Sequence, residues 1–161
     1  MKAIVLSLLV LVTLMTAIPS ARASTQQPFK AMLVTPEAPM DCDRIWVDGG
    51  VFHARGCEQT GTITGDMSGT MVLTVNLDLR ASGEGGPQDG TAQVKGNITL
   101  EGGNDVSYTM SANALFQEGV LNGNIVILGV GTFKGTFIIG KLIGIADGFV
   151  KVAGTMLTTN A

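Results

Sequence analysis

Along the middle of the chain, apolar and polar residues alternate with a period of two. Met71, Leu73, Val75, Leu77 and Leu79 interleave with Val72, Thr74, Asn76, Asp78 and Arg80. The same beat returns in Ala92, Val94, Gly96, Ile98 and Leu100 against Thr91, Gln93, Lys95, Asn97 and Thr99, and again in Val106, Tyr108, Met110 and Ala112 against Ser107, Thr109, Ser111 and Asn113. Successive side chains of a strand point to opposite faces, so this pattern predicts strands with one buried face. A polar, glycine-bearing loop over residues 80–90 and a Gly102-Gly103-Asn104 turn join them, which predicts an antiparallel meander.

From Val120 onward the pattern changes. Residues 125–128, 137–139 and 142–143 are apolar on both faces and are punctuated by Gly129, Gly131, Gly135, Gly140, Gly144, Gly148 and Gly154. Strands of that kind are buried on both sides or face a second subunit, here a homo-oligomer built through the C-terminal strands. Recurrent glycines suit the bends of a small, curved barrel. Helical periodicity is weak everywhere, with a short turn over residues 111–117 as the best candidate. The expected fold is therefore all-β: an antiparallel meander closing into a roughly eight-stranded barrel over residues 41–158.

Before the meander lies a hairpin holding both cysteines, the tryptophan and the histidine, Cys42-Asp43-Arg44-Ile45-Trp46-Val47-Asp48-Gly49-Gly50-Val51-Phe52-His53-Ala54-Arg55-Gly56-Cys57. With Gly49-Gly50 at the centre of a primed turn, paired positions sum to 99. Trp46 then faces His53, Arg44 faces Arg55, and Cys42 lies directly opposite Cys57, within disulfide reach. The rival turn, Asp48-Gly49, sets Cys42 against Arg55 and offsets the cysteines, so disulfide chemistry selects the first register. One hairpin face carries Ile45, Val47, Phe52 and Ala54 and is expected to be core. The other carries Cys42, Arg44, Trp46, His53, Arg55 and Cys57.

That second face is the candidate site. Two opposed arginines repel unless an acid or a ligand anion lies between them; Asp41, Asp43 and Glu58 are the nearby acids. If the face is solvent-exposed, Trp46 lies over the disulfide and the arginines are hydrated. If it lines the barrel, Arg44 and Arg55 suit an anion, Trp46 an apolar wall and His53 a titratable group, a binding site for a small hydrophobic or carboxylate ligand.

The N-terminus changes the compartment. Lys2, an apolar run over residues 4–18 and the small-x-small Ala21-Arg22-Ala23 match a signal peptide cleaved after residue 23, and no later stretch is a membrane span. Export to a secreted or periplasmic location suits a paired-cysteine chain. Residues 24–40, with Pro28, Pro36 and Pro39, are expected to be loose, with one edge strand over residues 31–34. Loss of residues 1–23 moves the formal net charge from −3 to −5, and with no basic clusters nucleic acid is not an expected partner. With the cysteines paired and His53 the only histidine, a Cys/His zinc site cannot be assembled, and no metal or other cofactor is expected.

Other signals are bland. Gly129-x-Gly131-x-x-x-Gly135 lacks a P-loop ending, Ser68 is misplaced for a nucleophile elbow, and Asp66, Asp78, Glu84, Asp89, Glu101, Asp105 and Glu118 fall on loops or polar faces. Asn97-Ile98-Thr99 is a formal glycosylation acceptor, and Met67, Met71, Met110 and Met156 read as core filler.

The segment WVDGGVFHARGCEQTGTITGDMSG over residues 46–69, the strand over residues 70–79 and Gly83-Glu84-Gly85 resemble the barrel proteins related to allene oxide cyclase and the dirigent proteins. The resemblance implies an eight-stranded antiparallel barrel, often oligomeric, with a hydrophobic cavity, and an isomerase or cyclase acting on a lipid-derived or phenolic small molecule. The family's catalytic residues do not map onto numbered positions here. The expected function is a secreted β-barrel with a binding or structural role. The alternatives are such a cyclase, with His53 and Arg55 polarising the substrate, and a self-associating envelope or surface component.

Overall fold

The computed structural model describes residues 24–35, 41–81, 88–118, 120–145 and 149–159. The signal peptide expected over residues 1–23, and residues 36–40 of the expected loose segment, lie outside the described residues.

Nine strands make one antiparallel sheet: β1 (Ser24–Val34), β2 (Arg44–Asp48), β3 (Val51–Gly65), β4 (Gly69–Ala81), β5 (Gln88–Leu100), β6 (Tyr108–Gln117), β7 (Val120–Gly129), β8 (Thr136–Ile145) and β9 (Phe149–Thr159). The order is β1-β9-β8-β7-β6-β5-β4-β3-β2, and β1 also pairs with β3. Eight strands thus close a somewhat uneven ring, and β2 is a ninth strand attached outside the closure. Every consecutive pair from β2 to β9 is joined by a short connection, the meander expected from the alternating pattern. Residues 111–117, the candidate helical turn, belong to β6, where pairing with β5 and β7 outweighs local preference.

The N-terminal segment is more ordered than its prolines suggest. Ser24–Val34 is a full strand, paired with β9 along its whole length and with β3 only through Ala31, Met32, Leu33 and Val34. Lys30 N–H donates to the Asp66 carboxylate (2.7 Å), so its amide points toward the β3 side. Pro28 turns its nitrogen the same way two residues earlier, beyond the end of β3, where no ladder donor is required. Proline is tolerated because this half of β1 has one neighbour.

The interior is graded by side-chain size. At the end carrying the β3–β4, β5–β6 and β7–β8 connections, Phe29, Ile63, Met71, Ile98, Ile127 and Ile138 are fully buried. There a short 3₁₀ turn (Gly131–Phe133) brings Phe133 against Tyr108, with ring centroids 5.1 Å apart. Burial pushes the Tyr108 phenol above its ordinary pKa. Toward the other end the inward positions of β5 and β6 become small: Ala92 faces Ala114 and Val94 faces Ala112. Large side chains therefore plug one end, and space remains near the other. Met67, Met71 and Met110 are core residues and Met156 packs against the core, as expected.

Candidate functional site

The β2–β3 hairpin has the expected register: Arg44 pairs with Arg55, Trp46 with His53 and Asp48 with Val51. Gly49 (φ 55°) and Gly50 (φ 77°) both occupy the left-handed region, which a type I′ turn requires and glycine tolerates. Cys42 and Cys57 are disulfide-bonded, and the Glu58 N–H donates to the Asp41 carbonyl (2.7 Å) in an isolated bridge that continues the same register.

Two expectations about the hairpin faces are corrected. Ala54 is buried and Phe52 packs against the core, but Ile45 (56 % exposed) and Val47 (69 % exposed) are not core residues. β2 sits outside the ring, so among the described residues nothing covers its inward side. Strict alternation places Cys57 beside Trp46 and His53, yet it is wholly buried. The cause is a bulge: the β3–β4 register shifts between Ala54 and Cys57, so that Arg55 and Gly56 together oppose Asn76. The extra residue reverses the alternation and turns Cys57 and Ile63 inward. Gly56 adopts φ 63° there, and its N–H donates to Asn76 Oδ1 (2.9 Å). An isolated glycine within a strand pattern is the signal that could have located this bulge.

Arg44, Trp46, His53 and Arg55 do come together, on the outer surface of the sheet. The His53 and Trp46 rings stack, with centroids 4.8 Å apart and planes 16° from parallel. The guanidinium of Arg44 lies 4.6 Å and that of Arg55 5.4 Å from the Trp46 ring centre, cation–π contacts that let two opposed cations share one aromatic ring. The acid that accompanies them is none of Asp41, Asp43 or Glu58. It is Asp78 on β4, which pairs with His53 across the strands. Asp78 Oδ1 accepts from Arg55 Nη2 (2.6 Å) and from the Nδ1–H of His53 (2.5 Å).

Arg55 Nη1 also donates to the carbonyls of Ala54 (2.9 Å) and Leu77 (2.6 Å), so the guanidinium spans the backbone beside the bulge. The Arg55 guanidinium, and after it the His53 ring, hold the Asp78 carboxyl below its ordinary range, against an opposing effect of burial. In sequence, Asp78 is one polar residue among several on an alternating strand, and only the β3–β4 register singles it out.

On the other side of the same wall is a cavity of about 280 Å³. Leu73, Val75 and Leu77 of β4, Ala92 and Val94 of β5, and Ala112 and Ala114 of β6 supply much of its surface. Among the described residues that line it, Thr35 and Gln59 are the polar ones and none is titratable. Leu77 and Leu79 face the cavity, whereas Asp78 between them faces outward with His53 and Arg55. The charged cluster and the apolar cavity are thus separated by the thickness of one strand. No three acidic, histidine or cysteine side chains among the described residues are grouped as a metal-ligand set. Among the same residues no helix is long and apolar enough to cross a membrane.

Compared with known protein families and with curated proteins, the chain matches none.

Proposed function

We propose that this chain is an exported binding protein that holds a small apolar molecule inside its strand ring. The observation that carries this reading is the cavity of about 280 Å³, walled by aliphatic side chains at the end of the ring where β5 and β6 present alanines. Interiors normally pack to the density of organic crystals, so a void of this size lined by ordered strands is a feature in search of an occupant. Export is supported by the N-terminal pattern and by the Cys42–Cys57 bridge, which belongs to an oxidising compartment.

The resemblance to the allene oxide cyclase and dirigent barrels agrees with a cavity-centred role. A cyclase of that kind needs a reacting group beside its substrate, however, and the acid–base groups gathered here, His53 and Asp78, lie on the outer side of the wall. Binding without catalysis is therefore the reading we carry. Native mass spectrometry of protein recovered from its source tests it. The expected result is a chain beginning at Ser24 with a co-purifying small molecule; an empty protein that also fails to bind the neutral probe N-phenyl-1-naphthylamine overturns it.

Self-association has an observation of its own. On the outer surface Val126 lies opposite Ile139 and Leu128 opposite Phe137, and all four are exposed. Such an apolar patch, on the order of a few hundred Å², is the size at which surfaces become contacts. A second copy related by a two-fold axis would set the patch against itself, with the neighbouring Lys141 ammonium, which donates to Asn124 Oδ1 (2.6 Å), kept in water at its edge. Sedimentation of the wild type and of Ile139→Lys tests it: a dimer that becomes a monomer is expected, and a monomeric wild type at micromolar concentration overturns it.

A further inference from the structure

We infer that the cavity selects an uncharged ligand of about nine non-hydrogen atoms, a medium-length alcohol or similar neutral molecule, and excludes the corresponding carboxylate. The inference rests on the binding role proposed above and concerns which chemistry that role serves.

Size comes from the volume. At roughly 30 Å³ per water-sized group, the cavity of about 280 Å³ accommodates some nine heavy atoms. Charge comes from the wall. A carboxylate drawn into an apolar site needs a cation or several donors, and without them it stays in water or enters protonated. Arg80, Lys95, Lys141 and Lys151 are sequence neighbours of lining residues, and each is exposed on the outward side of its strand. Arg55 and His53 are bonded to Asp78 on the outer surface, and Arg44 stacks on Trp46 there. Among the described lining residues the polar side chains are the Gln59 amide and the Thr35 hydroxyl, uncharged groups that each carry donor and acceptor atoms. Those match a hydroxyl or carbonyl and do not neutralise a charge.

The contrast is large and pH-dependent for a reason that lies in the ligand. Three pH units above a carboxylic pKa, only about one molecule in a thousand is neutral. At pH 7.5 octanoate is therefore expected to bind two to three orders of magnitude more weakly than 1-octanol, and to approach it as the pH falls toward 5.

The test is competition against N-phenyl-1-naphthylamine on the full mature chain, with 1-octanol and octanoate at both pH values and a series of primary alcohols from butanol to dodecanol. The expected outcome is displacement by 1-octanol at both pH values, displacement by octanoate only at the lower, and an affinity that rises with alcohol length and levels near nine heavy atoms. Equal displacement by octanol and octanoate at pH 7.5 overturns the selectivity while leaving a binding protein. A steady rise through dodecanol overturns the size limit. Failure of the probe itself to bind removes the binding role, a different result from either of these.

Discussion

Replacing Ala112 by leucine fills the cavity from its wall. Ala112 is buried on β6 between Val94 and Ile125, and its methyl faces the empty volume. Leucine adds three carbons, which at about 30 Å³ each remove roughly 90 Å³, a third of the space present. Three methylene-sized positions for the ligand disappear with them. At about 0.8 kcal/mol per buried methylene that is about 2.4 kcal/mol of lost ligand burial, or an affinity for 1-octanol lower by about 50-fold. Stability should move the other way. Filling an empty cavity recovers about 24 cal/mol per Å³, an upper limit of about 2 kcal/mol here, and less because water reaches the mouth. We expect Ala112→Leu to unfold in urea at the same or higher concentration than wild type while losing octanol in the competition assay. Ser111→Leu, one residue along on the opposite face, adds similar bulk outside the ring and should leave binding unchanged. A folded Ala112→Leu protein that binds octanol with wild-type affinity would refute the assignment of the ligand to this cavity.

Gly56→Ala places a side chain at φ 63° and drives its Cβ into the Asp43 carboxylate; the left-handed backbone alone should cost about 1–2 kcal/mol, read from urea unfolding, and pairing it with Asp43→Ala should leave that backbone cost in place. Cys42→Ser with Cys57→Ser opens a covalent loop whose ends are 15 residues apart, for an expected loss of about 3 kcal/mol by chain entropy; an unchanged unfolding midpoint would contradict the bridge. Asp78 has a depressed folded pKa, so its pairing stabilises the fold above the unfolded carboxylate pKa of about 3.9 and fades as the pH falls through the lower folded value. Its side chain is 39 % exposed, which limits the contribution to less than about 1 kcal/mol. Asp78→Asn should accordingly be slightly less stable than wild type at pH 7 and converge with it in acid, and a difference that widens below pH 3 would contradict the assignment.

The residue order by itself determines the central strands and the hairpin, but not the first half of β1 or β9. Alternation in residues 71–80, 91–100 and 108–113 survives as β4, β5 and β6 because each of these strands has one face on the interior and one on solvent. Val106 and Ser107, by contrast, precede β6 and reverse the expected pattern, Val106 exposed and Ser107 buried. The Cys42–Cys57 bridge follows from a two-glycine turn and counting, since local backbone geometry leaves one register that joins the sulfurs. The tertiary structure decides what counting cannot reach. Pro28 is tolerated in β1 because of where β3 stops. Ile45 and Val47 are exposed because β2 lies outside the closure, a property of the whole ring that no local pattern encodes. The bulge at Arg55 and Gly56 changes which face each later β3 residue presents, so Cys57 is buried while His53 and Arg55 meet Asp78, a residue twenty-five positions from His53. The cavity, finally, exists because small inward residues on two neighbouring strands fall at the same height, and height in a closed sheet is set by the stagger of every strand in it.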